Sequence, residues 1–298
     1  MVKPIINLKG PFQKGNICIR LIYINSVVFF VIALITVFFQ LFSENIATIF
    51  SFLELPASFA RFTKRPWSLV TYMFMHADFL HLLFNMLWLY WFGTLFLYFF
   101  SAKHLRGLYL YGGIFGGLLY MACYNIFPYF RPMVEYSSMM GASASVLAVV
   151  AAVAYREPDY SVRLMLIGHI RLKYIALIVI LSDLLFITSG NAVGHIAHLG
   201  GALAGFCFVA GLNKGIDITG WINKLLDGVL FLFNKNTWRR KRKPFMKVQH
   251  YVRNAQDYNY SKEVHSNKVD GILDKLKKSG YESLTAEEKK TLFDASKR

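Results

Sequence analysis

The segment MMGASASVLAVV, residues 139–150, combines an apolar composition with a glycine and two serines near its start. A helix in a lipid bilayer does not need polar residues such as Ser143 or Ser145 for solubility, and a glycine such as Gly141 weakens a helix. These three residues therefore require another explanation. Small residues serve most often for close packing against a neighbouring helix, and the alternative is that one serine hydroxyl has a chemical role.

The rest of the chain has the composition of a membrane protein. Of its 298 residues, 55% are hydrophobic and 17% are charged, and the mean hydropathy is +0.40. The net charge of +16 is distributed between apolar runs and in the segment WRRKRKPFMK, residues 238–247. We therefore expect contacts with anionic membrane lipids and no nucleic-acid partner. The three cysteines have no metal-site spacing, so we expect neither disulfides nor a zinc site.

Six stretches are long enough for membrane-spanning helices, each of which requires about 20 apolar residues. The distribution of Lys and Arg predicts that both termini are cytoplasmic in the cell (inner) membrane, and that the second, fourth and sixth segments begin at the outer face. We therefore expect an all-α, polytopic membrane fold. The six stretches are 18–42, 79–100, 105–127, 137–155, 172–189 and 192–212.

The flanking regions differ in composition from the membrane domain, which we place at residues 18–213. We expect a cytosolic N-terminal segment at 1–17, a basic linker at 214–261, and a small cytosolic helical segment at 262–298. In the last of these, TAEEKKTLF opens with the T-x-x-E pattern of a helix capping box.

Polar residues cluster near the outer ends of the second, fourth and sixth segments. In HADFLHLLFN, Asp78 is predicted to cap the second helix, and His81 and Asn85 then share one face. If the fourth helix begins near residue 138 and the sixth near residue 191, Ser143 and His198 both lie roughly 7–11 Å below the outer ends of their helices.

A serine and a histidine at one depth suggest nucleophilic catalysis. A serine hydroxyl becomes a good nucleophile when a neutral imidazole accepts its proton. His81 and Asn85 could donate hydrogen bonds to an oxyanion beside the Ser143 amide, or could only cross-link helices.

Close packing of the helices would bring the serine and the histidine together. Gly201 and Gly205 form a G-x-x-x-G pattern, which permits close approach of a neighbouring helix. The expected partner is the small face of the fourth helix, formed by Gly141, Ala144 and Ala148.

Several alternatives remain open at this point. Spacing alone does not distinguish Ser143 from Ser145, or His198 from His195. The two histidines could bind a metal, although the H-E-x-x-H motif is absent from the sequence. Asp183 could orient a histidine or could serve only helix packing. Transport is also compatible with the spacing.

At these positions the sequence resembles the rhomboid family of intramembrane serine proteases. The resemblance covers about residues 60–212 and rests on three motifs in order. The first is H-x-x-x-N within PWSLVTYMFMHADFLHLLFNMLWLYWFG, the second is G-x-S-x in GASA, and the third is A-H-x-x-G-x-x-x-G in AHLGGALAG.

The resemblance implies a six-helix bundle with a water-filled cavity open to the outside. It assigns Ser143 as nucleophile and His198 as general base, with His81, Asn85 and the Ser143 amide as the oxyanion hole. It also implies a dyad without a carboxylate, which argues against a catalytic role for Asp183 without deciding whether Asp183 or His195 assists. No metal or cofactor is implied.

The implied reaction is hydrolysis of peptide bonds in or beside the membrane. The implied substrates are membrane proteins with one spanning helix, cut near its outer end at a small residue. Two positions depart from the common family pattern: Ala144 follows the nucleophile in place of glycine, and Ser68 follows Trp67 in place of arginine. The alternatives are a rhomboid-like pseudoprotease that binds or escorts membrane proteins, and a small membrane transporter.

Overall fold

The computed structural model describes residues 16–42, 50–164, 168–233, 271–280 and 283–296. The chain divides into two compact units, Met1–Phe233 and Asn234–Arg298. The first unit contains the six long apolar segments and is predominantly helical. The described residues of the second unit, 271–280 and 283–296, include helices and are treated separately below.

Each of the six predicted segments contains a helix. Three of these helices, α1, α2 and α6, are long and apolar enough to cross a membrane, and α4 is a shorter apolar helix. The protein is therefore a mostly helical membrane protein. The six helices are α1 Ile17–Leu41, α2 Phe79–Phe99, α3 Ala102–Ile126, α4 Ser143–Arg156, α5 Leu172–Leu185 and α6 Ala192–Asn213.

The predicted start of the fourth helix near residue 138 is wrong, because α4 begins at Ser143. The preceding residues Ser138–Met139 form strand β2, which pairs antiparallel with β1, Leu55–Pro56. This pairing holds Ser138 and Met139 in an extended conformation, so the helix cannot begin there. With 14 residues, α4 is about 21 Å long, which is shorter than the roughly 30 Å hydrocarbon layer. The depth that we estimated for Ser143 from a start at 138 therefore does not hold.

The connections between the long helices contain short elements. Strands β3, Ser161–Leu164, and β4, Gly168–Arg171, form an antiparallel hairpin between α4 and α5. The described residues between α1 and α2 include the short helices Phe59–Thr63 and Ser68–Thr71 and a 3₁₀ turn at Tyr72–Phe74. A further 3₁₀ turn lies at Arg131–Met133.

Helix α4 forms the centre of the first unit, and its residues from Ala144 to Ala154 are all buried. Glycines of α3 allow α3 and α4 to approach each other closely. A Cβ atom added to Gly112 would lie 2.3 Å from the Cβ of Ala148, and one added to Gly116 would lie 2.7 Å from the Cβ of Ala144. Close backbone approach of this kind supplies the dispersion contacts that hold membrane helices together.

Helix α6 packs on α4 through the predicted G-x-x-x-G pair. A Cβ added to Gly201 would lie 2.0 Å from the carbonyl oxygen of Ala144, and one added to Gly205 would lie 2.1 Å from that of Ala148. No real side chain tolerates such distances, so only glycine fits at both positions. This packing brings the first half of α6 beside the first turn of α4.

Helix α1 lies at the edge of the bundle, with Cys18, Leu21 and Asn25 as its buried residues among those described. The Asn25 amide donates a hydrogen bond to the hydroxyl of Tyr109 on α3 at 3.0 Å. Many of its remaining apolar side chains are exposed, as expected for a surface that faces lipid.

A seventh helix, α7, Gly220–Phe233, lies within the range 214–261 that we predicted to be a linker. It is joined to α3 through Arg106, whose Nε donates to the Asn223 side-chain oxygen at 2.7 Å and whose guanidinium forms an ion pair with Asp227. The structure thus adds a helix after the sixth predicted segment.

In the second unit, helix α8 covers residues 271–279 and is followed by Gly280, whose φ of +77° suits glycine. Helix α9, Ala286–Ser296, begins with a reciprocal cap. The Glu288 carboxylate accepts from the Thr285 amide at 2.7 Å, and the Thr285 hydroxyl accepts from the Glu288 amide at 3.3 Å.

Candidate active site

A cavity of about 550 Å³ lies among α2, α4, α6 and the segment that precedes α4. Its lining includes Ser143, His198, His81 and Asn85, the four residues that the sequence singled out for chemistry. These residues come from three separate helices, so the tertiary structure brings them to one place.

Ser143 is the first residue of α4, and no side chain caps this helix at Ala142. The N–H groups of a helix's first turn have no partner within the helix. Because Ser143 and Ala144 line the cavity, this end of the helix borders it. The end of the helix dipole also favours negative charge at this point.

Ser145 occupies a different environment from Ser143. It is buried and does not line the cavity, and a Cβ added to Gly113 of α3 would lie 2.7 Å from its hydroxyl oxygen. Among the described residues, its hydroxyl has no hydrogen-bond partner. Ser145 is therefore a small packing residue between α3 and α4, and Ser143 is the serine with access to the cavity.

Gly141 has a different neighbour from the one expected. It precedes α4 in a conformation with φ of +130°, which only glycine adopts readily. A Cβ at this position would lie 2.9 Å from the Cε1 and Nε2 atoms of His81 and 3.7 Å from the Ser143 hydroxyl oxygen. The prediction that Gly141 belongs to the face packed on the sixth helix is wrong, because Gly141 makes room for the His81 imidazole.

His81 and Asn85 are held by the start of α2. The Asp78 carboxylate caps this helix by accepting from the His81 amide at 2.8 Å, as predicted. The Asn85 side-chain amide donates to the His81 carbonyl oxygen at 2.8 Å. An Asn amide carries two hydrogens, so this bond leaves one for a partner in the cavity.

His198 lies beside a carboxylate that the resemblance did not imply. Its Nδ1 is 3.0 Å from the Oδ1 atom of Asp183 on α5, and the Nδ1 of His195 is 2.8 Å from the same oxygen. A carboxylate accepts hydrogen bonds, so we assign a proton to each Nδ1, which leaves each Nε2 as an acceptor. His198 lines the cavity, and His195 does not. The sequence indicated such a contact only through Asp183 itself, an acidic residue within an otherwise apolar helix.

The same three residues are the group of potential metal ligands found in the described part of the chain. The ligand atoms of Asp183, His195 and His198 all lie within 4.8 Å of one another. The two hydrogen bonds already pair the carboxylate with both imidazoles. The cluster is therefore satisfied as a hydrogen-bonded unit.

Among the described residues, no hydrogen bond joins the Ser143 hydroxyl to His198. In unliganded active sites, such contacts are often long and tighten only when substrate binds. The cavity thus contains a serine hydroxyl, an imidazole with a free Nε2 and several hydrogen-bond donors. These are the components of an acyl-transfer site.

The fold and the cavity together define a helical membrane protein with a serine and a histidine inside its bundle. Residues 63–214, just over half of the chain, match the family model of the Rhomboid domain. The chain therefore belongs to the rhomboid family.

A similar protein is RHOMBOID-like protein 12, mitochondrial, from Arabidopsis thaliana. The two are 29% identical over 157 residues, which are 50% of this chain and 47% of the relative. The chain thus matches about half of the length of this curated relative. Residues 255–298 match a separate family of unknown function (DUF6576).

Proposed function

We propose that this protein is an intramembrane serine protease that hydrolyses peptide bonds in or next to the transmembrane segments of membrane proteins. The observation that carries the proposal is the common cavity of Ser143 and His198, with His81 and Asn85 in the same lining. Membership of the rhomboid family supports it.

In the proposed mechanism, the Ser143 hydroxyl attacks the scissile carbonyl while the Nε2 of His198 accepts its proton. The resulting oxyanion lies near the first-turn N–H groups of α4 and the side chains of His81 and Asn85. Donors aimed at a developing charge stabilise the transition state more than the ground state. His198 then gives the proton to the leaving amine, and water hydrolyses the acyl-enzyme.

We further propose that six helices span the membrane, that both termini are cytoplasmic and that the protein resides in the cell membrane. Helices α3, α4 and α5 would then cross as part of the bundle, since the buried α4 does not need to match the full hydrocarbon thickness by itself. The substrates in this proposal are membrane proteins with a spanning helix that unwinds locally near its outer end. Membrane lipids are the remaining partners.

The test combines cleavage of a model transmembrane substrate with labelling by a serine-directed fluorophosphonate in detergent. We expect wild-type protein to cleave and to be labelled, and Ser143→Ala to do neither while keeping its thermal stability. Ser145→Ala is the matched control, because that serine packs against α3 outside the cavity, and it should retain activity.

Full activity of the Ser143→Ala variant would refute the proposed nucleophile. A wild-type protein that binds a transmembrane substrate but neither cleaves it nor reacts with the fluorophosphonate would favour the pseudoprotease instead.

A further inference from the structure

Asp183 links two histidines of the neighbouring helix through one carboxylate oxygen. Its side chain is almost fully buried, and it accepts hydrogen bonds from the Nδ1 atoms of His195 at 2.8 Å and His198 at 3.0 Å. A buried carboxylate is costly unless it is paired and hydrogen-bonded. The hydrogen bonds are donated here by the imidazoles of His195 and His198.

The arrangement constrains which nitrogen of His198 carries the proton. Because the carboxylate only accepts, the Nδ1 of His198 must donate, and its Nε2 is left with a free lone pair. His198 lines the cavity that also contains Ser143. The tautomer held by Asp183 is therefore the one in which Nε2 can act as a base.

The second histidine limits how Asp183 can move. His195 lies one turn before His198 on α6 and bonds the same oxygen. The carboxylate is thus held from two positions on one helix. Two hydrogen bonds to the same oxygen fix its position relative to the imidazole of His198.

We propose that Asp183 is a positioning residue for His198, with His195 as its anchor, so that this protein uses a serine–histidine pair supported by a carboxylate. The inference rests on the proposed protease function. When the Ser143 oxygen bonds to the carbonyl carbon, its proton moves to the Nε2 of His198 and the carbonyl electron pair moves to the oxygen. The imidazolium so formed keeps its Nδ1 proton, and its positive charge is stabilised by the Asp183 carboxylate.

The main test is Asp183→Asn, which preserves size and removes the charge and one acceptor. We expect kcat to fall by about 100-fold with KM nearly unchanged, a smaller loss than the roughly 10⁴-fold known when the carboxylate of a serine protease triad is replaced by an amide. A kcat within about threefold of wild type, in a preparation where Ser143→Ala is inactive, would overturn the inference and leave the protease function intact.

A double variant separates positioning from simple helix cross-linking. In Asp183→Asn, the two N–H donors compete for one neutral amide oxygen, which is a weaker acceptor than the charged carboxylate oxygen that now accepts from both. Adding His195→Phe removes the competing donor and frees that oxygen for His198. We expect Asp183→Asn/His195→Phe to regain about tenfold in kcat over Asp183→Asn alone. If the double variant instead has a lower kcat than Asp183→Asn, and kcat falls in parallel with Tm across the variants, the three residues only cross-link the helices and the inference is overturned.

A third readout does not depend on proteolysis. In protein labelled with ¹⁵N-histidine, we expect NMR signals from His195 and His198 with Nδ1 protonated and Nε2 unprotonated, and a change in at least one of them in Asp183→Asn. If wild-type protein shows this tautomer but neither cleaves nor reacts with fluorophosphonate, the protease proposal fails and the catalytic use of Asp183 fails with it.

Tightly bound metal would contradict the inference in another way. If purified protein contains about one equivalent of zinc and the Nδ1 protons are absent until a chelator is added, Asp183 and the two histidines form a metal site. We expect instead that a chelator leaves both activity and the NMR signals unchanged.

Discussion

Gly201→Ala tests whether the contact between α4 and α6 sets the geometry of the cavity. The added Cβ would lie 2.0 Å from the carbonyl oxygen of Ala144, which belongs to the backbone of a buried helix. This neighbour cannot rotate away as the end of a flexible side chain could. Helix α6 must therefore move.

The size of the movement follows from the contact distance. Ordinary van der Waals contact of a Cβ begins at 3.4 Å, so α6 must retreat by about 1.4 Å near residue 201. His198 is three residues away on the same helix, and Ser143 directly precedes Ala144. A misplacement of about 1 Å between reacting groups can lower a rate by about 100-fold. Overpacking of this kind typically costs about 1–3 kcal/mol of stability.

The assay is steady-state cleavage of a transmembrane substrate together with thermal unfolding in the same detergent. We expect Gly201→Ala to lower kcat by about 100-fold and to lower Tm. The matched control is Gly228→Ala on α7, where an added Cβ meets nothing within 4 Å. This change should keep wild-type activity and raise stability by up to about 1 kcal/mol, because alanine loses less conformational entropy in a helix. Wild-type kcat and Tm in Gly201→Ala would refute the close packing.

Three further predictions concern other parts of the first unit. Asn85→Ala should lower kcat by roughly 10- to 1,000-fold in steady-state kinetics with little change in KM, because an oxyanion donor is lost while His81 and the backbone amide remain. An unchanged kcat would leave Asn85 with only its structural hydrogen bond to the His81 carbonyl oxygen. Burial lowers the pKa of His76 to about 4, below its unfolded value of about 6.5, so its contribution to stability is complete above pH 6.5 and is lost as the pH falls towards 4. Tm should therefore decrease across that range, and the decrease should be smaller in His76→Phe; an equal decrease in both proteins would exclude His76 as its source. A chain ending at Phe233 should keep its activity and its Tm in detergent. A chain ending at Asn213 should have a lower Tm, because Arg106 then lacks its partners Asn223 and Asp227. Equal Tm values for the two chains would show that α7 does not stabilise the bundle.

Much of the helical architecture is predictable from local sequence. Backbone groups in a bilayer must be satisfied internally, so long apolar stretches form helices wherever they occur. The positions of α2 and α6, the cap at Asp78 and the glycine pair at Gly201 and Gly205 all follow from residues close together in the chain. These features require no knowledge of distant segments.

The start of α4 was not predictable in this way. The chain from Ser138 to Met139 is extended because it pairs with Leu55–Pro56, which lies more than eighty residues earlier in the sequence. Hydropathy contains no information about such a partner. The prediction therefore began the helix too early and assigned Gly141 to the wrong neighbour.

Local sequence is enough to establish the membrane class, the six long apolar helical segments and the motifs of the family. The packing of the helices places Ser143 at the cavity and Ser145 against Gly113, and it brings Asp183 into contact with both His195 and His198. The physical reason is that helix formation depends on neighbours within one or two turns. The direction in which a side chain finally points depends on which helix packs against it and at what rotation, and those contacts join residues far apart in the chain.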